Sequence, residues 1–480
     1  SAASDVYKRQ VKKSMNILKY ICLPGLLVSG DIQTVSAVES KTDKNPNILV
    51  ILIDDAGYND FGFMGSKEMQ TPNIDALTSE GVVFTDAHVA ATVSSPSRAC
   101  LITGRYGHRF GYECNLSDRT NGLPLEEETI AEVFKTNGYR TAAIGKWHLG
   151  SRDEQHPNNR GFDLFYGMKA GGRDYFYNEK KSDRPGDERN LLLNDRQVKF
   201  EKYLTDAFSE KAVEFINESS QPFMMYLAYN AVHTPMQATD EDMAKFEGHP
   251  RQKLAAMTYA LDRGVGTVIR GLKDSGKFDN TLIFFLSDNG GATTNQSSNY
   301  PLKGFKGNKF EGGHRVPYFV VWKNGIPAGK PYDGLVSSLD IFATAIDAAS
   351  ISKTRNRLDG VSLLPYLKGK KGEPHKVLYW RKMDTRAIRS GDYKLIITHG
   401  VDSVLYNIRR DPEEMNNLIN KEPDLYHKLA KKLAKWEKNE CIEPSWLEEG
   451  WRKITNRYHQ QLMHNEIKTC LLYTSDAADE

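Results

Sequence analysis

Four apolar runs of strand length, each handing over directly to charged, amide or imidazole side chains, restrict what this chain can fold into. Asn47–Ile53 runs into Asp54-Asp55, Arg140–Ile144 into Lys146 and His148, Phe223–Ala228 leads to His233, and Thr281–Leu286 ends in Asp288-Asn289. A fifth run is Pro317–Trp322. Runs without polar alternation suit strands buried on both faces, and the longer amphipathic stretches between them supply the covering helices. The pattern predicts an α/β fold, a large and mostly parallel sheet flanked by helices. In parallel sheets the carboxyl ends of the strands share one edge, where ligands bind. Polar sets far apart in sequence are therefore expected to meet in one crevice.

Helices are expected at Asn73–Glu80, after Thr71-Pro72, at Glu126–Asn137, before Gly138, and across Asp240–Ser275, closed by Gly276. A length of 480 residues exceeds one minimal core, so two domains are expected. Residues 46–368 form the larger, and the basic stretch Lys368–Pro374 reads as a linker. Residues 376–438 read as a smaller C-terminal α+β subdomain, with strands at Val377–Trp380, Arg386–Arg389, Tyr393–Thr398 and Val404–Tyr406 before an amphipathic helix, Pro423–Lys438. Residues 439–469 extend beyond it.

Both ends fall outside this fold. Met15 looks like a start, and Lys19 followed by the apolar run Ile21–Val28, too short to span a bilayer, reads as a signal peptide over residues 15–37, cleaved after Val35-Ser36-Ala37. An N-terminal core helix is the plainer reading of the same residues. Cys22 lacks a lipobox, so a secreted or periplasmic protein without a lipid anchor is expected. Ser1–Gln10 and Cys470–Glu480 resemble translated adapter sequence, and residues 1–14 and 470–480 read as non-native. Lys and Arg total 64 against 62 Asp and Glu, which argues against nucleic acid or an anionic membrane as the main partner. Of the five cysteines, Cys100, Cys114 and Cys441 lie inside the expected fold, too scattered for a disulfide framework or a zinc site.

The sharpest local signal is Ser94-Ser95-Pro96-Ser97-Arg98-Ala99-Cys100-Leu101-Ile102-Thr103-Gly104-Arg105. It sets a hydroxyl just before a Pro suited to the first turn of a helix, with Arg98 one turn on, a place where free N–H groups and the helix dipole favour an anion. Read alone, Ser-x-Pro describes an ordinary cap before a surface helix. Asp54-Asp55 and Asp288-Asn289 offer oxygen only, as a hard cation prefers, although the same residues also make turns. Lys146 and His148 stand two apart, on one side of an extended segment; alone, they describe an exposed lysine and a packed histidine. His233, in Val-His-Thr-Pro, is equally compatible with a structural histidine.

Taken together, these residues resemble the formylglycine-dependent sulfatases, whose signature is Cys or Ser, any residue, Pro-Ser-Arg, closing with Leu-x-Thr-Gly-Arg. The resemblance runs from about Asn47 to Leu364 and more weakly through Lys438, closest to the arylsulfatase and N-acetylgalactosamine-sulfatase type. It implies an alkaline-phosphatase-like fold and removal of sulfate from a sulfated carbohydrate, a hexose or hexosamine sulfate. Ser94 stands at the nucleophile position, where many members have Cys, which implies formylglycine made by a serine-competent radical maturating enzyme. A plain serine would be left as a slowly hydrolysed alkyl sulfate, whereas the hydrated aldehyde carries two hydroxyls on one carbon and can expel sulfate. The resemblance assigns Asp54, Asp55, Asp288 and Asn289, with Ser94, to a calcium site. Lys146 and Arg98 become sulfate-binding groups, His148 the base, and His233 the leaving-group acid, helped by Lys306. Lys306 stands five residues before Glu311, the family's spacing, and Lys309 competes with it but reads as a solvated surface charge. Arg160 and Arg173, the latter in Gly171-Gly172-Arg173-Asp174-Tyr175, fall where sugar contacts are expected.

Two other readings share the scaffold: a phosphonate or phosphodiester hydrolase of the same superfamily, and a glycan-binding pseudoenzyme with Ser94 unmodified. A membrane phosphoethanolamine transferase would need several spanning helices, which the sequence does not contain.

Overall fold

Every residue of β1 (Asn47–Ile53) is buried, the condition for a central strand covered on both faces. The computed structural model describes residues 45–116 and 118–469. The strands β2 (Gly81–Val83), β4 (Arg140–Lys146), β5 (Leu164–Met168), β6 (Leu192–Leu193), β7 (Arg196–Gln197), β8 (Phe223–Ala228), β9 (Thr281–Ser287) and β10 (Tyr318–Val321) join β1 in one sheet. Its order is β2-β10-β9-β1-β8-β4-β5-β6-β7. The central strands β9, β1, β8, β4 and β5 are parallel, while β2, β10, β6 and β7 add antiparallel edges. The sheet is therefore mixed. The run Pro317–Trp322, expected as one more parallel strand, forms β10 and turns back from the edge where the parallel strands end.

Alternate residues of β1 feed two cores. Ile48, Val50 and Leu52 pack with helices α2 (Ser94–Thr103) and α3 (Ile130–Thr136). Leu49, Ile51 and Ile53 pack with α1 (Pro72–Thr78), α4 (Leu204–Glu218) and α6 (Gln252–Asp274). Each such side chain contributes roughly 1.5–3 kcal/mol relative to exposure. The helical region expected across Asp240–Ser275 is broken into α5 (Asp240–Ala244) and α6. Pro250 disfavours helix at His249, and Gly248 adopts a left-handed φ of 78°. Helix α3 starts later than its acidic lead-in, at Ile130, because Thr129 and Glu132 cap it reciprocally. Helix α4, with buried Phe208, Ala212, Phe215 and Ile216, was not anticipated.

A short parallel patch pairs β3 (Ala87–His88) with β11 (Val336–Ser337). Beyond it a four-stranded antiparallel sheet runs through β12 (Val377–Lys382), β13 (Thr385–Ser390), β14 (Tyr393–Thr398) and β15 (Asp402–Asn407). Leu378, Trp380, Ile396 and Tyr406 pack with Phe305, Phe310, and Leu462 and Met463 of the last helix, Glu449–Met463. Ile388, Leu395 and Leu405 pack under Leu429, Leu433 and Trp436 of the helix Pro423–Glu440, together with Cys100 of α2. The small sheet thus shares its core with the helix that carries Ser94. Among the described residues no helix is long and apolar enough to cross a membrane. The expected signal peptide and both non-native ends lie outside the described residues.

Leu433 is 1% exposed at the centre of that shared core. Leu433→Ala should cost about 2–5 kcal/mol. Chemical denaturation at fixed pH measures it, and an effect below about 1 kcal/mol would mean the helix is not held by this contact.

Candidate active site

Strands β9, β1, β8 and β4 are neighbours in the sheet and parallel, so their carboxyl ends form one continuous edge. Asp54 and Asp55 follow β1, Lys146 ends β4, His233 follows β8, and Asp288 and Asn289 follow β9. Asp55 and His148 hold left-handed φ values of 61° and 57°, uncommon for residues with a Cβ and frequent where a chain turns sharply at a site. Three side chains then fasten the turns. Asn295 and Ser297 donate to the Asp55 carbonyl at 3.1 and 2.9 Å, and Ser95 Oγ donates to the His148 carbonyl at 2.7 Å.

Helix α2 brings Ser94 to this edge. Its hydroxyl lies 3.2 Å from both Asp54 Oδ1 and Asn289 Oδ1, close enough to donate to either. One turn on, Arg98 donates through Nε and Nη2 to Asp288 Oδ2 at 3.1 and 2.9 Å, with Asp54 Oδ1 at 3.5 Å. Lys146 Nζ lies 2.6 Å from Asp54 Oδ2, and Lys306 Nζ 2.8 Å from Asp55 Oδ2. Asn289 turns its amide N–H toward Asp55 Oδ1 at 2.7 Å, leaving its carbonyl oxygen to face Ser94. His233 Nε2 is 3.6 Å from Asp55 Oδ2, and its Nδ1 lies 2.7 Å from the Thr234 carbonyl. That contact assigns the proton to Nδ1 in the neutral ring. The structure brings Ser94, Arg98, Lys146, His233, Lys306, Asp54, Asp55, Asp288 and Asn289 into one continuous network.

Burial alone would raise both carboxyls of the Asp54-Asp55 pair. At Asp54, Lys146, His233 and Arg98 outweigh it; at Asp55, Lys306 and His233 do, and both are held below the ordinary carboxylate range. His148 goes far below the usual imidazole value, through burial first and then Lys146, Arg98 and Lys306. It is neutral, with a lone pair to give, and its Nδ1 is buried without a partner. Three carboxylates face three cations, so the cluster is close to neutral by itself. The donors around Ser94 are oxygen without sulfur, which fits a hard divalent cation, and Asp54, Asp55 and His233 lie within metal-ligand reach of one another.

His88, Glu311 and His314 make a second such group, but Lys394 Nζ already lies 2.8 Å from Glu311 and 3.0 Å from His314. The protein's own ammonium fills that cluster and ties the small sheet to the loop carrying Lys306.

Three expectations are corrected. Arg160, placed at the sugar by resemblance, is buried and donates to Glu132 Oε1, the Leu123 carbonyl and the Glu127 carbonyl at 3.0, 3.3 and 2.6 Å. Arg173 is equally enclosed, donating to Asp183 at 2.8 Å and to the carbonyls of Asp174 and Arg189, with its guanidinium over Phe200. Every guanidinium nitrogen of both is already engaged by a protein acceptor. Lys309 is no solvated charge: it is 1% exposed, donates to Thr92 Oγ1 at 2.8 Å, and burial pushes its amine down to about 7. Residues the sequence did not single out also support the site, among them Ser95, Tyr112, Asn295 and Ser297. Their hydroxyls and amides carry no sequence signal, because their role is defined only by the groups they meet, carbonyls for Ser95, Asn295 and Ser297 and the Ser95 hydroxyl, at 2.6 Å, for Tyr112.

Residues 46–351 match the family model described as Sulfatase, and residues 306–439 the model described as N-sulphoglucosamine sulphohydrolase, C-terminal. Uncharacterized sulfatase YdeN of Escherichia coli (strain K12) is 36% identical over 401 residues, spanning 71% of this chain and 70% of that protein. N-acetylgalactosamine-6-sulfatase of Canis lupus familiaris is 32% identical over 373 residues, spanning 73% and 71%. The solved structure described as Ps i-CgsB in complex with k-i-k-neocarrahexaose superposes with a TM-score of 0.80 at 38% identity, covering 87% of this chain and 99% of that one.

Arg160→Ala should leave KM for any turned-over ester unchanged while costing about 3–5 kcal/mol, because Glu132 and two carbonyls lose their partner. Steady-state kinetics beside denaturant unfolding tests this; a raised KM at wild-type stability would return Arg160 to the substrate.

Proposed function

Since the chain belongs to the sulfatase family, within the alkaline-phosphatase-like superfamily, and is therefore a sulfuric ester hydrolase, we propose that it releases sulfate from a hexose or hexosamine sulfate using formylglycine made from Ser94. The observation that carries the detail is the position of the Ser94 hydroxyl, 3.2 Å from two oxygens of the cluster at the head of α2. Relatives support the sugar: one is an N-acetylgalactosamine-6-sulfatase, and one solved structure is described with a neocarrahexaose.

Hydrated formylglycine would supply two hydroxyls on one carbon, one as nucleophile toward sulfur and one as the source of the electron pair that later expels sulfate. Calcium, held by Asp54, Asp55, Asp288 and Asn289, would supply positive charge beside the reacting oxygen and lower its pKa. Around it, Arg98, Lys146 and Lys306 present donors to the non-bridging sulfate oxygens, where charge grows in the transition state. With the three carboxylates balanced by these three cations, a divalent ion would leave an excess of two positive charges, of which the monoanionic sulfate ester would neutralise one and the deprotonated nucleophile the other. His148, kept neutral by burial and then by its cationic neighbours, would accept the proton from the second hydroxyl. His233 keeps its Nδ1 proton on the Thr234 carbonyl, so a second proton, taken up at Nε2 beside the Asp55 carboxylate, is the one the imidazolium delivers to the departing sugar oxygen, returning the ring to its neutral form. Because residue 94 is serine, maturation requires a radical enzyme able to oxidise serine. The motif over residues 15–37 supports export, so a periplasmic or secreted location is part of the proposal.

Protein co-produced with such a maturase should release sulfate from a panel of galactose and N-acetylgalactosamine 4- and 6-sulfates, and the peptide containing Ser94 should be lighter by two hydrogens in mass spectrometry. Ser94→Ala should lose at least about 10³-fold in kcat; wild-type turnover in that variant refutes the assignment. Chelation should lower both Tm and activity, with calcium restoring them; recovery with zinc but not calcium would overturn the choice of ion.

A further inference from the structure

Two glycines stand against the two catalytic imidazoles. A Cβ on Gly171 would come within 2.7 Å of His148 Nε2 and 2.8 Å of its Cε1. A Cβ on Gly172 would lie 3.4 Å from Cε1 and Nδ1 of His233. The histidines come from two different strand ends, 85 positions apart along the chain by their numbers, yet consecutive residues of one segment cover both.

That segment is bolted at each end to the backbone of the histidine it covers. At its start, the His148 amide donates to the Lys169 carbonyl at 3.1 Å, and Lys169 Nζ donates to the Ser151 carbonyl at 2.7 Å. At its finish, the Tyr175 hydroxyl lies 2.6 Å from the Asn230 carbonyl and 2.9 Å from the His233 carbonyl. Its one proton is shared across the turn that presents His233. The Tyr175 ring is fully buried and stacks on Tyr203 at 5.4 Å, so the hydroxyl has little freedom. Between these ends the Arg173–Asp183 pair and the Gln237 side chain, which accepts from the Tyr175 amide at 2.8 Å and donates to Asp174 at 2.9 Å, fix the path. Arg173 thereby acquires a structural task.

We propose that residues 169–175 form a spacer that sets the two imidazoles relative to one another, with Tyr175 a positioning residue for proton delivery by His233 and Gly171 a position that must lack a side chain. This rests on the reading of His233 as the leaving-group acid. As the bond between sulfur and the sugar oxygen breaks, that oxygen takes the proton from Nε2. A sugar alkoxide is a much stronger base than a nitrophenolate, so only the sugar substrate depends heavily on His233 being well placed. Replacing Tyr175 by Phe leaves the part-buried His233 carbonyl without its hydroxyl partner and the Asn230 carbonyl with only the His233 amide, at 2.9 Å, so the turn they flank shifts. His148, in contrast, acts after the sugar has left, in a step common to all substrates.

The experiment compares kcat on the best sugar sulfate of the panel with kcat on 4-nitrophenyl sulfate. The ratio of the two does not depend on how much enzyme is folded or matured. In Tyr175→Phe it should fall roughly 10-fold or more, within the 10²–10⁴-fold range a positioned acid supplies. Gly172→Val, whose γ-carbons extend beyond the 3.4 Å contact that a Cβ alone would make with the same imidazole, should move the ratio in the same direction and serves if Tyr175→Phe folds poorly. Gly171→Ala, which acts on the common second step, should slow 4-nitrophenyl sulfate at least as much as the sugar sulfate, so that the ratio does not fall. A wild-type ratio in both Tyr175→Phe and Gly172→Val overturns the proposal and leaves the segment a structural strut. His233→Ala separates the two levels: if its ratio is also that of wild type, the assignment of His233 as acid fails first.

Discussion

Three carboxylates, Asp54, Asp55 and Asp288, lie at 0–1% exposure on one edge of the sheet, and everything around them follows from the cost of keeping them there. An isolated buried carboxylate loses several kcal/mol of hydration. What offsets it here is Arg98 from α2, Lys146 from the end of β4 and Lys306 from a loop far along the chain, each within 2.6–2.9 Å of its partner. Well-packed apolar groups of the same volume would be at least as stable. Such an arrangement costs stability relative to that alternative, and its value lies in a dense set of fixed charges ready for an anion and a cation together. The neighbouring apolar strands are what make it possible, because only a sheet covered on both faces holds four strand ends rigidly side by side.

The second requirement is that the loop carrying Lys306 be held as firmly as the strands. Gly307 donates its amide to the Thr92 carbonyl at 2.8 Å, and Lys309 reaches the Thr92 hydroxyl, so the loop is pinned to the approach of the helix bearing Ser94. Its far end is pinned by Lys394 of β14, which lies 2.8 Å from both Glu311 and Glu414. Burial, only partly countered by Lys394, pushes the Glu414 carboxyl up to about 7, and the Glu311 amide donates to Glu414 at 2.7 Å. The small C-terminal sheet is therefore part of the active-site scaffold, since its strands supply the cation that locks the loop in place.

This division explains what could be read from the chain and what could not. Asp54, Asp55, Lys146, His233, Asp288 and Asn289 were legible because strand ends of a parallel sheet share an edge, so apolar periodicity alone placed them together. Ser94, Arg98 and Lys306 needed the signature and its register. Arg160, Arg173 and Lys309 were misplaced for one reason: a long cationic side chain can turn outward or inward, and the choice depends on acceptors elsewhere in the fold, such as Glu132, Asp183 and Thr92. The break between α5 and α6 is signalled by Gly248 and Pro250 but hidden by the helical pattern on either side, and α4 is signalled by its apolar spacing. The antiparallel direction of β10 carries no local signal, because a fully buried strand looks alike in either direction.

The exposure of the cluster also says from which side an ester must enter. Asp54, Arg98 and Lys146 have side chains at 0%, whereas His233 retains 20% and Lys306 22%. On the proposed reading the sulfate group would lie inward, against the fully enclosed charges, with the rest of the substrate at the rim beside His233 and Lys306. Selectivity for one sugar over another then belongs to segments that flank this rim, whose side chains face outward and are free to differ without disturbing the charge network. The buried half of the site sets the reaction, and the rim sets the molecule on which it is performed.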